Sequence, residues 1–345
     1  MEASLSCSPN QTKQNIIRCI KAGLVPFIQS SPGIGKSSIV RQIAEEFNLK
    51  LIDHRLSTSD PTDLLGLPHF ENGKAVFSPF RDLFPLEDTP LPKGKDGFLL
   101  FLDEFNSAPR SIQAAAYKLI LDRQIGQYKL HPRCAVVCAG NKLDDNAITV
   151  NLSTAMQSRL IHIIMEPNFN EWLENIAFKE DYDERIVSFL NMYPEYIMVF
   201  DPEHTEHTFA CPRTLEFVNK LIRNEPEIDE SWLALLSGTI TSEIAMTFFT
   251  FCKMREEMIS YSQVIANPDN APIPAKNEVK WSTILHLLNH LDNEEIFTKV
   301  SKYVSRYPVD YKIIFYRAVN IKHPELKSSR AYTEARLDLA SYFED

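Results

Sequence analysis

The segment Ser30-Ser31-Pro32-Gly33-Ile34-Gly35-Lys36-Ser37 has the residue types and spacing of an anion cradle. It fits the phosphate-loop pattern G-x-x-x-x-G-K-[ST] at every position except the first, where Ser30 stands for glycine. An apolar run, Leu24 to Ile28, leads in, and a helical pattern, Ser38 to Phe47, leads out. In that setting Ser31, Pro32, Gly33, Ile34, Gly35, Lys36, Ser37 and Ser38 would wrap a nucleotide's phosphates, with the positive end of the next helix aimed at them. Lys36 would reach the β/γ oxygens and Ser37 would offer its hydroxyl to Mg²⁺. Gly33 and Gly35 let the backbone approach an anion closely.

A second chemical feature is Phe98-Leu99-Leu100-Phe101-Leu102-Asp103-Glu104, an apolar strand ending in two acids. If this strand neighbours the first, Asp103 would hold Mg²⁺ through water and Glu104 would act as general base on the attacking water. The plainer alternative is a strand that ends in a solvated acidic turn. A third feature is Asn141, which ends the run Ala135-Val136-Val137-Cys138-Ala139-Gly140. Its amide could orient water against the γ-phosphate, although Gly-Asn is also a common turn pair.

These groups need elements to carry them. Five segments have strand character: Leu24–Gln29, Lys50–Leu56, Phe98–Leu102, Cys134–Ala139 and Leu160–Ile164. Helical patterns at Ser38–Phe47 and Ser111–Arg123 alternate with them, and Ser8-Pro9 starts a capped helix that Gly23 stops. Alternation of this kind implies a parallel sheet covered on both faces, with ligands at the carboxyl ends of its strands. The expected fold class is α/β: a P-loop parallel five-stranded sheet sandwiched by helices, then an α-helical lid, then a further helical region. The stretch Ser57–Asp96 is a long Pro- and Asp-rich insertion, and its Asn72-Gly73 is a hairpin signal. From Glu166 onward the pattern is helical, with a polar gap from Ala266 to Glu278. The expected domains are 1–166, 167–252 and 253–345.

Composition is that of a globular chain: 345 residues, 44% hydrophobic and 24% charged. The net charge of −10 speaks against a general nucleic-acid binder. No apolar run reaches membrane length, and Met1 to Gln14 is too polar for a secretory leader. Six scattered cysteines suit a reducing cytoplasm, and Cys134 and Cys138 suit strand burial rather than metal binding. His286 and His290 are four apart, but no third ligand is evident. His204 and His207 lie in a polar segment, and Phe248, Phe249 and Phe251 read as helix core.

Together, the phosphate loop, a strand ending Asp-Glu, a strand ending Asn and an arginine before a further strand resemble an AAA+ ATPase. Asp60 to Pro68, Asp103 to Asn106 and Ala139-Gly140-Asn141 resemble its MoxR-type branch, and the likeness spans roughly residues 10 to 225. By that resemblance Lys36 and Ser37 match the Walker A pair, Asp103 and Glu104 the Walker B pair, and Asn141 sensor 1. Arg159 matches the arginine finger that reaches a neighbour's nucleotide, and Arg213, after Pro212, matches the sensor 2 arginine. The second insertion typical of this branch would fall at Arg123–Arg133, where there is room only for a small hairpin.

The resemblance implies ATP with Mg²⁺, a homo-oligomeric ring, a hexamer by class, and remodelling or chaperone-like assembly of a protein partner that bears a von Willebrand factor A domain. The Pro68–Phe77 hairpin would supply pore or surface contacts. Two other readings differ in class: a nucleotide-gated binding module with little turnover, and a DNA-remodelling motor, which the acidic charge disfavours. Asn141-Lys142-Leu143-Asp144 also has the form of a guanine-reading Asn-Lys-x-Asp. Against guanine, Asp103 is followed by Glu104-Phe105-Asn106 rather than by Asp-x-x-Gly spacing, and Arg159 and Arg213 fit the ring ATPases.

Overall fold

The computed structural model describes residues 5–145, 150–254 and 259–340. The first four residues of the polar N-terminal segment, and 255–258 and 341–345 of the expected C-terminal region, lie outside them. The chain divides into two compact units: Met1–Pro167 with Phe200–His204, and Asn168–Val199 with Thr205–Asp345.

The first unit begins with β1 (Ser6–Cys7) and α1 (Pro9–Lys21). Ser8 caps α1 in a reciprocal capping box with Gln11, and Pro9 sits where a missing N–H costs nothing. Then come β2 (Val25–Gln29), α2 (Lys36–Glu46) and β3 (Leu49–Arg55). The insertion holds a short helix, α3 (Pro61–Leu65), and an antiparallel hairpin of β4 (Leu67–Glu71) and β5 (Lys74–Ser78). The hairpin turns at Asn72 (φ +50°) and Gly73 (φ +76°), the positive-φ pair that this dipeptide accommodates. Next are β6 (Gly97–Asp103), α4 (Arg110–Asp122), a two-residue hairpin of β7 (Gln124–Ile125) and β8 (Tyr128–Lys129), β9 (Cys134–Gly140), α5 (Thr154–Gln157) and β10 (Leu160–Met165).

Six strands form one parallel sheet in the order β1-β10-β2-β9-β6-β3. The five expected strands are all in it. The sixth, β1, pairs with β10 through only Ser6↔Ile164 and Cys7↔Met165. Two residues carry no periodicity, so the apolar pattern could not announce it. β6 is buried along its whole length, which explains its unbroken apolar run. Cys134 and Cys138 are buried in β9, and burial pushes both thiols up, Cys134 to about 11.

The adjacency on which the reading of Asp103 and Glu104 is conditional is not met. β6 does not neighbour β2, because β9 pairs with both and lies between them. β9 comes late in the chain but fills the central gap that the crossover from β2 leaves open.

The second unit is helical, apart from an isolated bridge between Val199 and Ala210. Its main helices include Glu184–Met192, Pro212–Ile222, Ser242–Met254, Asn277–Leu288, Glu294–Val304 and Val309–Lys322. Residues 267–276 are a non-helical link, as the polar gap suggested. One apolar core nevertheless runs from Trp172 to Leu339, through Phe189, Phe248, Phe251, Phe297 and Phe315. Phe248 and Phe251 are indeed core residues, and Phe249 packs against them. His286 meets His290 edge to face and lies 3.4 Å from Glu184. Among the described residues no group of three ligating side chains could hold a metal ion.

Leu100 is fully buried in the core of the first unit, between the sheet and its helices. Leu100→Ala should destabilise that unit by about 2–5 kcal/mol, the usual cost of such a cavity. Chemical denaturation measures it, and a loss below about 1 kcal/mol would contradict the packing described.

Candidate functional site

The carboxyl ends of β2, β9, β6 and β3 lie side by side, as Gln29↔Gly140, Leu102↔Cys138 and Arg55↔Asp103 pair across the sheet. All the sequence-derived groups of the first unit except Arg159 follow these ends. The loop after β2 turns through Gly33 (φ +83°) and Gly35 (φ +106°), conformations that favour glycine. Gly35 precedes the first residue of α2, so the helix starts at Lys36, two residues earlier than its apolar pattern suggested. Lys36 and Ser37 therefore occupy the first turn, where backbone N–H groups point outward. Pro32 is half-buried, Gly33 and Ile34 are buried, and Ser38 is exposed on the third step of the helix.

The Lys36 ammonium donates to the carbonyl oxygens of Ser30 (2.9 Å) and Ser31 (3.4 Å), to Ser30 Oγ (3.1 Å) and to Asn141 Oδ1 (3.2 Å). Ser30 is fully buried, and its hydroxyl donates to the Ser31 carbonyl at 3.0 Å. The departure from glycine thus adds an oxygen to the lysine's cage without blocking the turn.

Ser37 Oγ donates to Asp103 Oδ2 at 3.3 Å. The start of α2 crosses the gap that β9 leaves between β2 and β6, so the two groups meet without adjacent strands. A hydroxyl beside a carboxylate is a hard oxygen donor set of the kind Mg²⁺ takes. These residues therefore fit the expected ion. The Asp103 charge, after burial itself, also raises the pKa of Asp53 on β3.

Glu104 has φ +55° and ψ +35°, a left-handed conformation that costs a non-glycine residue about 1–2 kcal/mol. Its N–H donates to Asp103 Oδ1 at 2.8 Å, which holds the turn. The turn breaks the strand's alternation and sends the carboxylate toward the end of β3, where Ser57 Oγ donates to Glu104 Oε2. Strain of this kind gathers where a side chain must be aimed. Ser57 had no sequence signal, because only the pairing of β3 with β6 brings it there.

Asn141 is held by another residue given no separate role in the sequence. Asn106 is 1% exposed, and its carboxamide grips the Asn141 backbone twice. Asn141 N–H donates to Asn106 Oδ1 (3.1 Å), and Asn106 Nδ2 donates to the Asn141 carbonyl (2.7 Å). The absence of a side chain at Gly140 makes this approach possible: a Cβ there would lie 2.0 Å from Asn106 Oδ1. The Asp103–Asn106 segment so carries the candidate metal acid, the candidate base and the clamp on Asn141 within four residues.

The Asn-Lys-x-Asp match is not assembled as a unit. Asn141 turns to Lys36, Lys142 pairs with Glu166 after β10, and Asp144 is exposed. Arg159 is exposed at the end of α5; it donates to the Ala155 carbonyl at 2.6 Å and stands 5.2 Å from the Tyr117 ring centre. Arg213 belongs to the second unit, exposed in the first turn of Pro212–Ile222.

No family model matches the chain. Among solved structures it is similar to a mutant of Thermotoga maritima RuvB, with 15% identity over 97% of this chain and 91% of that one, at a TM-score of 0.38. A second mutant of the same protein gives 14% identity, 82% and 74% coverage, and a TM-score of 0.36. A candidate ATPase of Cytophaga hutchinsonii gives 13%, 97% and 90%, and 0.34. Likenesses this distant assign the chain no activity.

Gly140→Ala should part Asn106 from Asn141 and destabilise the first unit by about 1–3 kcal/mol, as buried polar groups lose their partners. In the Asn106→Ala background the same substitution should cost much less, since the atom it strikes is gone. A thermal-denaturation double-mutant cycle reads the coupling, and strict additivity would refute the clamp.

Proposed function

We propose that the chain is an ATP-hydrolysing enzyme of the AAA+ class, resembling its MoxR-type branch, that works as a homo-oligomeric ring, a hexamer by class, on a protein partner. One observation carries this reading: the Lys36–Asn141 and Ser37–Asp103 pairs and the aimed carboxylate of Glu104 lie at one carboxyl edge of a single parallel sheet. That is the set of groups that phosphoryl transfer to water needs. Lys36, freed from the loop carbonyls, would take the β/γ oxygens. Asn141 would orient the attacking water, and Glu104 would accept its proton once the Ser57 contact opens. Mg²⁺ held through Ser37 and Asp103 would offset the phosphate charge.

The exposed guanidinium of Arg159 suits action on a neighbouring subunit's nucleotide. We assign residues 1–166 to the nucleotide-binding domain, 167–252 to a lid carrying Arg213, and 253–345 to a further helical region. A partner with a von Willebrand factor A domain would meet the exposed β4–β5 hairpin, on which Phe70 is 82% exposed. No described helix is long and apolar enough to cross a membrane, and six free cysteines suit a reducing cytoplasm.

Wild type should hydrolyse ATP, and GTP should compete poorly with labelled ATP. Glu104→Gln should lower turnover about 10²–10⁴-fold, the range for a lost general base. Arg159→Ala should lower it about 10³–10⁵-fold. An equal mixture of the two variants should regain activity, because some sites then combine an intact Glu104 with a neighbour's Arg159. Undiminished turnover in both single variants would end this mechanism.

The Ser57–Glu104 contact also favours a second reading, a nucleotide-gated binding module that holds its base away from water. ATP binding without hydrolysis at any protein concentration, persisting in Ser57→Ala, would select it.

A further inference from the structure

Asp145 ends the short turn Leu143–Asp145 that follows β9 and Asn141. It lies 114 positions from Ser31 in sequence, yet Ser31 Oγ donates to its Oδ1 at 3.1 Å. The side chain is 8% exposed. Its second oxygen, Oδ2, is buried with no hydrogen-bond partner among the described residues. A buried carboxylate with an orphaned oxygen is costly as a charge and much less so as an acid. Burial accordingly raises its pKa, while the Ser31 hydroxyl, the charges of Lys142 and Lys36 and the Lys142 backbone pull it back. Those two cations are the charged groups that face it: Lys142 from its own turn and Lys36 from α2. Both have other partners, Glu166 for Lys142 and the loop oxygens and Asn141 for Lys36.

We propose that Asp145 is a positioning residue of the phosphate loop, acting through Ser31, and that it takes up a proton when nucleotide enters the loop. This rests on the nucleotide-site reading above. A bound triphosphate brings negative charge to the loop that Ser31 begins and draws the Lys36 charge to itself. Both changes disfavour a carboxylate at Asp145, so its pKa is higher in the bound state than in the free one. Affinity is then greatest below the free-state pKa, falls tenfold per pH unit between the two values, and levels off above the bound-state pKa. Asparagine at this position keeps an acceptor for Ser31 but carries no charge, so it stands in for the protonated state.

The test is calorimetric titration of the full chain with the magnesium complex of a non-hydrolysable ATP analogue. It is run from pH 5.5 to 8 in two buffers of different ionisation enthalpy, for wild type, Asp145→Asn and Ser31→Ala. Subtracting the Asp145→Asn result removes the titration of the nucleotide itself. Wild type should take up more protons than Asp145→Asn. At the alkaline end Asp145→Asn should bind about tenfold more tightly than wild type, the amount one pKa unit carries. A purely structural role would instead weaken Asp145→Asn equally at every pH. Ser31→Ala loses the bond that lowers the free-state pKa, so it should take up fewer protons than wild type, and it serves if Asp145→Asn does not fold. Equal proton counts with parallel pH profiles, or unchanged uptake in Ser31→Ala, would overturn the proposal while nucleotide binding stands. Absence of binding by wild type at every pH would overturn both.

Discussion

The Lys36 ammonium is held by oxygens that include two loop carbonyls, the Ser30 hydroxyl and the Asn141 carboxamide. An ammonium that is partly buried must find acceptors for its protons, and here they come from two strands' ends at once. The cage ties the loop after β2 to the tip of β9. It also keeps the cradle shaped around a positive charge. In the proposed nucleotide-binding role, an incoming phosphate would replace those acceptors with stronger ones, so the loop would be prepared for an anion rather than assembled by it.

The other contacts at this edge follow from the placing of β9. Because β9 separates β2 from β6, Asn141 sits between the loop and the Asp103–Asn106 turn. Asn106 then reaches across to hold Asn141, and the start of α2 spans the same gap to bring Ser37 to Asp103. The β3–β6 pairing sets Ser57 against Glu104 on the far side. The edge is thus a chain of short polar links, each between residues far apart in sequence.

The second unit is held by a different force. Its described helices share one apolar core with a dense aromatic group, in which Phe189 meets Tyr193, Tyr196, Phe248 and Phe251. The ion pair Arg185–Asp183 is nearly buried there; Arg185 Nη2 donates to Asp183 Oδ2 and to the Ile222 carbonyl, both at 2.7 Å. Those bonds satisfy charges that would otherwise be costly in such a core. The core also crosses the non-helical link at 267–276, so that break in helicity is not a break in packing.

Read alone, the chain of residues determined the local chemistry: the glycine-lysine-serine loop, the apolar run capped by two acids, the strand that ends in asparagine and the Asn-Gly hairpin. Each depends on near neighbours, through backbone freedom, periodicity or the step from apolar to acidic. Strand order, the two-residue β1, and the meetings of Ser57 with Glu104, Asn106 with Asn141 and Ser31 with Asp145 were decided only in three dimensions. These contacts join segments separated by tens of residues. Their side chains are ordinary polar ones whose partners arise from which strands lie side by side, and no local spacing encodes that.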